Sequence, residues 1–360
     1  MTENNTDNAY KKATRQRKSN GKPVSLSDVA KHANVSTATV SRVLNNPEKV
    51  AEKKRLQIEA VIDELGYIPD GAARALASRH TKTIGAVVPT LDNAIFAAGI
   101  QALQSQLKRQ DYTLIIASHE YDITVELHEV RALLRQGVEG LMLVGSSHNP
   151  QLYQLLEGQQ VPYVNCWSYN QDSPYPYIGF DNRLAAQKVA NYLLDLGHRE
   201  FAVIAGHTKN NDRAADRLQG TRETLEARSV ALPREKILER SYSVKQGREA
   251  MRILLQTDPP PTAVICGNDV LALGALTECQ AAGYLVPDEI SITGFDDMDI
   301  CAQLIPALTT MHVPSVEMGK RAADFLIASI NGETTLLHTE IDVDLMIRDT
   351  TAKPRTSTKT

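Results

Sequence analysis

The 360-residue sequence has only four cysteines, one tryptophan and no long apolar run. The cysteines show no CxxC pair and no Cys/His spacing, which argues against zinc and disulfide frameworks and predicts buried, reduced thiols. No apolar run reaches the ~18 residues that a membrane-spanning helix needs, and the polar N-terminus lacks a signal-peptide pattern. We therefore expect a cytoplasmic protein that does not bind a membrane.

The sequence also lacks the common catalytic and cofactor-binding motifs. It contains no P-loop, no GxSxG, no GxGxxG after an expected strand and no cluster of metal ligands. These absences argue against nucleotide hydrolysis, serine-hydrolase chemistry and dinucleotide-dependent redox chemistry. We expect no cofactor and no metal ion, and we expect the protein not to be an enzyme.

Charge is divided unevenly along the chain. The net charge is −4, but residues 1–82 carry 15 Lys and Arg against 9 Asp and Glu, whereas the rest of the chain carries 24 against 34. A basic N-terminal part on an acidic body is typical of a protein whose first domain binds nucleic acid while the second is held away from it. The length predicts two or three folding units.

Residues 26–46 have the pattern of two short helices joined by a tight turn. Apolar residues three and four apart share one face of the first helix: Leu26, Val29, Ala30 and Ala33. Asn34 tolerates the left-handed backbone of a sharp turn, and Ser36 can cap the second helix. The inward residues of that helix are Val40, Val43 and Leu44. Its outward residues are Thr37, Ala38, Ser41 and Arg42. This layout predicts a helix-turn-helix whose second helix enters a major groove of DNA.

A third helix and an alanine-rich segment follow this motif. Residues 51–65 share an apolar face that ends before Gly66, a common residue just after a helix. Ala51 stands at the N-cap without a side-chain oxygen, so the helix lacks about 0.5–2 kcal/mol of capping stabilisation. The segment 70–82 is too short to be a stable helix alone and is expected to order only when docked. Residues 1–22 are polar, basic and aperiodic, which predicts a disordered tail.

From Ile84 onward, apolar runs alternate with amphipathic stretches. The expected strands are Ile84–Val88, Tyr112–Ala117, Gly140–Val144, Tyr163–Cys166, Phe201–Ala205, Ala263–Cys266 and Ser291–Phe295. The helices between them include Ala97–Arg109, Leu184–Leu196 and Ala214–Glu226. This alternation predicts parallel sheets covered by helices on both faces, which bind ligands in the loops after their strands. Polar loops follow strands in both halves, which predicts two similar subdomains facing one cleft.

Four sequence blocks, from about Pro23 to Arg348, resemble the LacI/GalR family of repressors. They are LSDVAKHANVSTATVSRVLN at 26–45, LGYIPD at 65–70, GNDVLALGAL at 267–276 and VPDEISITGFDDMDI at 286–300. The resemblance implies an all-α helix-turn-helix headpiece and an α/β core of two doubly wound parallel-sheet subdomains, similar to periplasmic binding proteins. The implied boundaries are 23–68 for the headpiece, 69–82 for a hinge helix, 83–350 for an effector-binding and dimerisation core and 351–360 for a tail. Subdomain 1 comprises about 83–181 and 313–333, and subdomain 2 about 182–312 and 334–350.

The same resemblance implies the DNA-binding residues and the partner. Six residues match the family's DNA-contacting positions: Thr37, Ala38, Ser41, Arg42, Ala73 and Leu76. Leu76 matches a leucine that wedges between central base pairs of the minor groove; packing of the hinge against the headpiece is the alternative role. The implied partner is a pseudo-palindromic double-stranded operator, read by a homodimer in the bacterial cytoplasm, where the bound protein is associated with the nucleoid. The C-terminal segment has no leucine heptads, so we expect dimers and not tetramers.

The family also implies a small-molecule effector between the subdomains. The positions that match its effector cleft are Asn93, Phe96, Trp167, Arg213, Asn268 and Asp296. Arg213 can hold a carboxylate through two hydrogen bonds, which indicates a sugar acid. The runs PTLDNAIFAAGIQ and ALTECQAAG also resemble the gluconate-responsive subgroup. Trp167 either stacks on a sugar or belongs to the core.

Other residues near the cleft have structural interpretations. Asp181 and Asp269 precede helices and are expected to cap them, and Arg217 is expected to form a structural salt bridge. Two alternative functions remain open. One is a sugar-handling enzyme with an accessory DNA-binding domain, which would use carboxylates such as Asp296 and Asp297. The other is a regulator controlled by a partner protein. Within the repressor interpretation, the effector either weakens or strengthens DNA binding.

Overall fold

The computed structural model describes residues 23–69, 80–92 and 94–355. The chain divides into two compact units between Thr81 and Lys82. The expected disordered tail at 1–22 and most of the expected hinge at 69–82 lie outside the described residues.

The headpiece consists of three α-helices: α1 (Leu26–His32), α2 (Thr37–Asn45) and α3 (Glu52–Leu65). Ser25 and Asp28 form a capping box at the start of α1, which satisfies backbone N–H groups that the helix leaves free. Asn34 has a φ of 53°, the left-handed conformation that the turn needs. Ala51 precedes α3 without a side-chain cap, and Gly66 ends that helix with a φ of 63°. The three helices share one small core: Val29, Ala30, Ala33, Val40, Val43 and Ile58.

The core unit contains two six-stranded sheets. Its first half contributes β1 (Thr83–Val88), α4 (Ala94–Lys108), β2 (Thr113–Ser118), α5 (Ile123–Arg135), β3 (Gly140–Val144), α6 (Pro150–Gly158), β4 (Tyr163–Cys166) and β5 (Tyr177–Gly179). The second half contributes α7 (Asn182–Leu196), β6 (Phe201–Gly206), α8 (Asp212–Ala227), β7 (Ile237–Arg240), α9 (Val244–Leu254), β8 (Ala263–Cys266), α10 (Asp269–Ala281), β9 (Ser291–Asp296) and β10 (Thr309–His312). The chain ends with α11 (Ser315–Ile330), β11 (His338–Glu340) and β12 (Asp344–Met346).

The two sheets repeat one strand order. The first runs β11-β5-β4-β3-β1-β2 and the second runs β12-β10-β9-β8-β6-β7. All neighbouring strands are parallel except β10 and β12, which are antiparallel. In each sheet the first strand along the chain lies inside, flanked by the second and third. The connections that follow the inner strand and its neighbour therefore run in opposite directions, and they leave a crevice at the carboxyl edge of each sheet.

Both faces of the first sheet are covered, as the sequence pattern predicts. Along β3, Met142 and Val144 pack into one buried cluster, whereas Leu141 and Leu143 pack into another. Successive side chains of a strand point to opposite faces, so the continuous apolar run reflects burial on both sides. The seven expected strands are present with ends shifted by at most one residue.

One expected subdomain boundary is wrong. The family resemblance places the segment 334–350 in subdomain 2, but β11 within it pairs in parallel with β5 of the first sheet, with His338 opposite Tyr177. Only β12 joins the second sheet, through Met311 of β10 opposite Leu345. A three-residue strand carries little periodicity, so its partner is decided by where the chain passes between the two sheets.

Candidate functional site

The second helix of the headpiece is fixed in position by its cap and its buried face. Ser36 Oγ accepts a hydrogen bond from the backbone N–H of Thr39 at 3.2 Å, as an N-cap residue does. Val40 and Val43 are buried against the other two helices. The opposite face of α2 is therefore the one open to a ligand.

That open face carries the four described residues expected to contact DNA. Thr37, Ala38 and Arg42 are exposed, and Ser41 is half-buried. Asn45 donates hydrogen bonds to Ser41 O at 2.9 Å and to Ser41 Oγ at 3.2 Å, a contact that the sequence pattern did not indicate. The other expected DNA contacts, Ala73 and Leu76, lie outside the described residues.

In the core unit, five of the six residues expected at the effector cleft line one small cavity. We call it the inner cavity; its volume, taken as the space open to the centre of a water molecule, is about 20 Å³. The five expected residues are Phe96, Trp167, Arg213, Asn268 and Asp296. The lining residues not expected there are Tyr121, Asn211, Arg217 and Tyr242. Asn93, the sixth expected residue, lies outside the described residues.

The inner cavity lies at the carboxyl ends of strands from both sheets. Phe96, Tyr121 and Trp167 follow β1, β2 and β4 of the first sheet. Asn211 follows β6 and Tyr242 follows β7 of the second sheet. Ligands of open parallel sheets bind at this edge, so the cavity is the candidate effector site.

Trp167 belongs to the core and also lines the inner cavity. It is fully buried and packs edge-on against Phe96, with ring centroids 5.4 Å apart, but it also lines the inner cavity. Asn182 Nδ2 donates to the Trp167 carbonyl at 2.8 Å, which holds its backbone in place. Within the described part of the chain, Trp167 Nε1 has no hydrogen-bond partner. A buried indole N–H normally has one, so this donor is available to a ligand.

Arg213 is paired with its neighbour and also reaches the other half of the core. Its Nη1 donates to Asp212 Oδ1 at 2.9 Å and to the Val144 carbonyl at 3.2 Å. Asp212 Oδ2 accepts from Ser146 N at 2.9 Å and from Ser168 Oγ at 2.5 Å. Burial opposes ionisation of Asp212, but Arg213 and these hydrogen bonds outweigh it and hold its pKa below the ordinary value. A guanidinium has five N–H donors, so Arg213 keeps donors for a ligand.

Arg217 and Asp296 form a second pair of opposite charges. Arg217 Nη1 lies 3.6 Å from Asp296 Oδ1, and its guanidinium lies over the Phe295 ring, 3.6 Å from the centroid. Arg217 also donates to the Gly267 carbonyl at 2.8 Å, which fits the expected structural role. Burial raises the pKa of Asp296 well above its ordinary 3.8, and Arg217 only partly opposes this shift. The Asp296 carboxyl therefore carries less negative charge than an exposed aspartate.

The expected cap at Asp269 is wrong by one residue. Asn268 caps α10, with its Oδ1 accepting from Leu271 N at 2.9 Å. Asp269 instead accepts from Met298 N at 2.8 Å and Thr310 Oγ1 at 2.5 Å, so it ties α10 to the second sheet. The backbone of Asn268 is extended, and this conformation defines the N-cap.

Asp181 is the second expected helix cap, and Asn268 Nδ2 is a further polar atom at the site. Asp181 caps α7 by accepting from Leu184 N at 2.9 Å, as expected. Asn268 Nδ2 and Asp296 Oδ1 are buried without hydrogen-bond partners among the described residues. Together with Trp167 Nε1 they give the inner cavity two free donors and one free acceptor, the combination that a hydroxylated ligand satisfies.

Sequence reasoning missed Tyr121, Asn211 and Tyr242. Tyr121 lies just after β2, whose end was recognised, so a search for polar residues after every strand would have found it. Tyr242 follows β7, a four-residue strand with no fully buried residue and therefore no strong apolar signal. Asn211 caps α8 through its Oδ1, 3.4 Å from Ala214 N.

Other kinds of site find no support in the described ranges. Among those residues, no three His, Cys, Asp or Glu side chains are grouped so that they could hold a metal ion. All four cysteines are free and buried. No helix in the described ranges is both long and apolar enough to span a membrane.

Comparison with known sequences gives matches for both parts of the chain. The family described as "Bacterial regulatory proteins, lacI family" matches residues 25–70, and the "Periplasmic binding protein-like domain" matches residues 190–351. The chain is 34% identical over 307 residues to the HTH-type transcriptional repressor PurR of Proteus mirabilis (strain HI4320), which covers 85% of this chain and 90% of that protein. PurR of Escherichia coli O1:K1 / APEC is also 34% identical over 307 residues, with the same coverage.

Solved structures show the same fold. A lac repressor dimer bound to operator and the anti-inducer ONPF matches with a TM-score of 0.81 and 28% identity, over 92% of this chain and all of that chain. The transcription regulator GntR from Chromobacterium violaceum matches with a TM-score of 0.71 and 28% identity, over 75% of this chain and 99% of that one. The headpiece, the paired sheets and the similarity to these repressors agree, and the chain belongs to the LacI family of transcriptional regulators.

Proposed function

We propose that this LacI-family regulator is a repressor whose affinity for operator DNA is controlled by gluconate or a related sugar acid in the inner cavity. One observation carries the proposal. The cavity combines the buried Arg213 and Arg217, whose side chain is 11% exposed, with three buried polar atoms that have no partner among the described residues. A hydroxylated anion satisfies both features.

The polar atoms suit the hydroxyl groups of such a ligand. Asp296 Oδ1 accepts from a hydroxyl, while Asn268 Nδ2 and Trp167 Nε1 donate to hydroxyl oxygens. Each buried donor or acceptor without a partner costs about 1–3 kcal/mol, so a ligand that pairs all three gains affinity. Hydroxyl groups can pair with all of them because each is both donor and acceptor.

The charges suit a carboxylate. Asp212 is ionised and neutralises the positive charge of Arg213. Because the pKa of Asp296 is raised, Asp296 neutralises less of the positive charge of Arg217. The inner cavity is therefore more positive than a count of two arginines and two aspartates suggests. A single negative charge on the ligand, held by the unused donors of Arg213, completes the balance.

DNA binding is proposed for a homodimer. The lac repressor that this chain resembles is a dimer bound to operator. We assign base and phosphate contacts to the open face of α2: Thr37, Ala38, Ser41 and Arg42. Ala73 and Leu76 are assigned to the minor groove at the centre of the operator.

The effector and the operator act on each other through the core. Effector binding changes how the two halves of the core close, alters the spacing of the two hinge segments in the dimer and releases the operator. This coupling is reciprocal, so operator DNA weakens effector binding by the same factor. Stronger DNA binding in the presence of the effector would reverse the sign of this proposal.

A thermal-melt screen against sugars, sugar acids and their phosphates tests the effector. A true ligand at about 100 times its dissociation constant adds about 2.7 kcal/mol to the free energy of unfolding. We expect stabilisation by gluconate or a close aldonate, and release of operator DNA by the same compound. Stabilisation by neutral sugars alone would overturn the sugar-acid assignment, and turnover of any candidate would favour an enzyme.

Arg213→Ala tests the carboxylate contact. We expect it to abolish the response to the acid while leaving operator affinity intact, because the residue lines the cavity and lies far along the chain from the headpiece. Arg222→Ala is the matched control, since Arg222 is an exposed arginine on the same helix α8. An unchanged response in Arg213→Ala would remove the argument for a carboxylate.

A further inference from the structure

A second and larger cavity adjoins the inner cavity. We call it the outer chamber; its volume, taken as the space open to the centre of a water molecule, is about 290 Å³. Thr90 and Glu120 lie on its first-half side, and His207, Arg240 and Ser241 lie on its second-half side.

The two cavities share a wall. Tyr121, Asn211 and Tyr242 line both of them. The rings of Tyr121 and Tyr242 come from opposite halves of the core, with centroids 6.2 Å apart and planes inclined at 47°. The two rings are within packing distance, so a ligand that extends from the inner cavity into the outer chamber has to displace one of them.

The position of Tyr242 is built into the fold. A Cβ at Gly206 would overlap the Tyr242 hydroxyl, so the glycine is what lets this ring turn toward the cavities. The Tyr242 hydroxyl accepts from Asn211 Nδ2 at 3.3 Å. Burial raises the pKa of both Tyr121 and Tyr242, so the two phenols stay neutral and keep their O–H donors. Rings with a polar edge suit sugars, which have apolar faces and hydroxylated rims.

The charges of the outer chamber indicate a neutral occupant. Arg240 and His207 on one side face Asp92 and Glu120, which also line it. Among the described residues Arg240 forms no salt bridge, and its Nη1 donates to the Glu239 carbonyl at 2.8 Å. A phosphate site would concentrate donors and positive charge, but here both signs are present. Such a mixture of donors and acceptors matches the hydroxyl groups of an uncharged sugar.

We propose that the outer chamber is a subsite for a neutral sugar unit attached to the acid, so that the preferred effector is a glycosylated aldonic acid. This inference rests on the proposed function, since the acid part occupies the inner cavity. The sugar unit packs against Tyr121 and Tyr242, and its hydroxyl groups bond to Arg240, Glu120 and Ser241.

Calorimetric titration of the full chain tests this subsite. The probes are gluconate, three glucosyl-gluconates that differ in linkage (cellobionate, maltobionate and gentiobionate) and 6-phosphogluconate. We expect at least one glucosyl-gluconate to bind about tenfold more tightly than gluconate, and 6-phosphogluconate to show no such gain. In Ser241→Trp an indole fills the outer chamber from an exposed position, so the ratio of the two affinities falls toward one.

A control variant and three contrary outcomes distinguish failure of the subsite from failure of the proposed function. Gln154→Trp adds an indole at an exposed position of α6 that lines neither cavity, and it should preserve the affinity ratio. Gluconate binding with no gain from any glucosyl group overturns the subsite and leaves the proposed function standing. A gain for 6-phosphogluconate alone overturns the neutral occupant. Binding of neutral cellobiose without binding of any acid overturns both proposals.

Discussion

At the scale of single residues, the inner cavity is controlled by how its two acid–base pairs are ionised. Asp212 is held ionised by Arg213 and by hydroxyl and backbone donors from the other half of the core. Asp296 lies 3.6 Å from Arg217, but burial raises its pKa well above 3.8. The two aspartates thus differ in charge because Asp212 is hydrogen-bonded to its arginine at 2.9 Å and has additional donors, whereas Asp296 lies 3.6 Å from its arginine.

This difference predicts a pH dependence of effector binding. Below the raised pKa of Asp296 the carboxyl is neutral and the cavity favours an anion; above it the carboxylate repels the anion. Affinity for gluconate should therefore fall as pH rises through that pKa. Asp296→Asn should show a flatter pH profile of gluconate affinity, measured by the emission of Trp167, which lines the cavity. The same slope in both proteins would contradict the assignment to Asp296.

At the scale of elements, the headpiece helices differ in how they begin. Ser25 and Ser36 cap α1 and α2 through side-chain oxygens, whereas Ala51 leaves the first N–H groups of α3 without a side-chain acceptor. Because α3 contributes Ile58 to the small headpiece core, its fraying costs packing as well as helical hydrogen bonds.

Adding the missing cap should stabilise the headpiece. Ala51→Ser should add about 0.5–2 kcal/mol, which slows hydrogen exchange of the Val29 and Val40 amides about two- to thirtyfold in the full chain. Ala60→Ser is the matched control, because it places the same residue at an exposed position inside α3. That change should slightly weaken the helix. Equal effects of the two substitutions would exclude capping as the cause.

At the scale of the whole core unit, two halves with the same strand order meet across the inner cavity. Asp212 connects them, because it lies at the start of α8 in the second half and accepts from Ser146 and Ser168 in the first. Arg213 adds a bond to the Val144 carbonyl. These contacts join the two halves beside the inner cavity, which Arg213 lines.

Loss of one bridging bond should weaken effector binding. Ser168→Ala removes a hydrogen bond to a charged group, worth about 1.5–3 kcal/mol, and should lower affinity about tenfold or more in calorimetry. Ser173→Ala is the control, since Ser173 Oγ accepts from Tyr175 N at 3.1 Å within the first half. If both variants lose affinity equally, closure of the halves is not what the serine supports.

Much of the local structure was predictable because its signals are local. The apolar run Gly140–Val144 is a strand buried on both faces, and Gly66 ends α3 as its lack of a Cβ allows. Five of six expected cleft residues line one cavity because parallel strands bring their following loops to one edge. Asp269 was misassigned because the sequence does not show which residue has the extended backbone of a cap.

The sequence by itself determined the helix-turn-helix, the two-sheet core and the polar residues after each long strand, since periodicity and turn residues act over a few positions. Only the tertiary structure decided that β11 joins the first sheet and that Tyr121 meets Tyr242. It also decided that Asp212 bridges the two halves. These contacts join residues far apart in the chain, and they depend on how two separately wound sheets pack against each other.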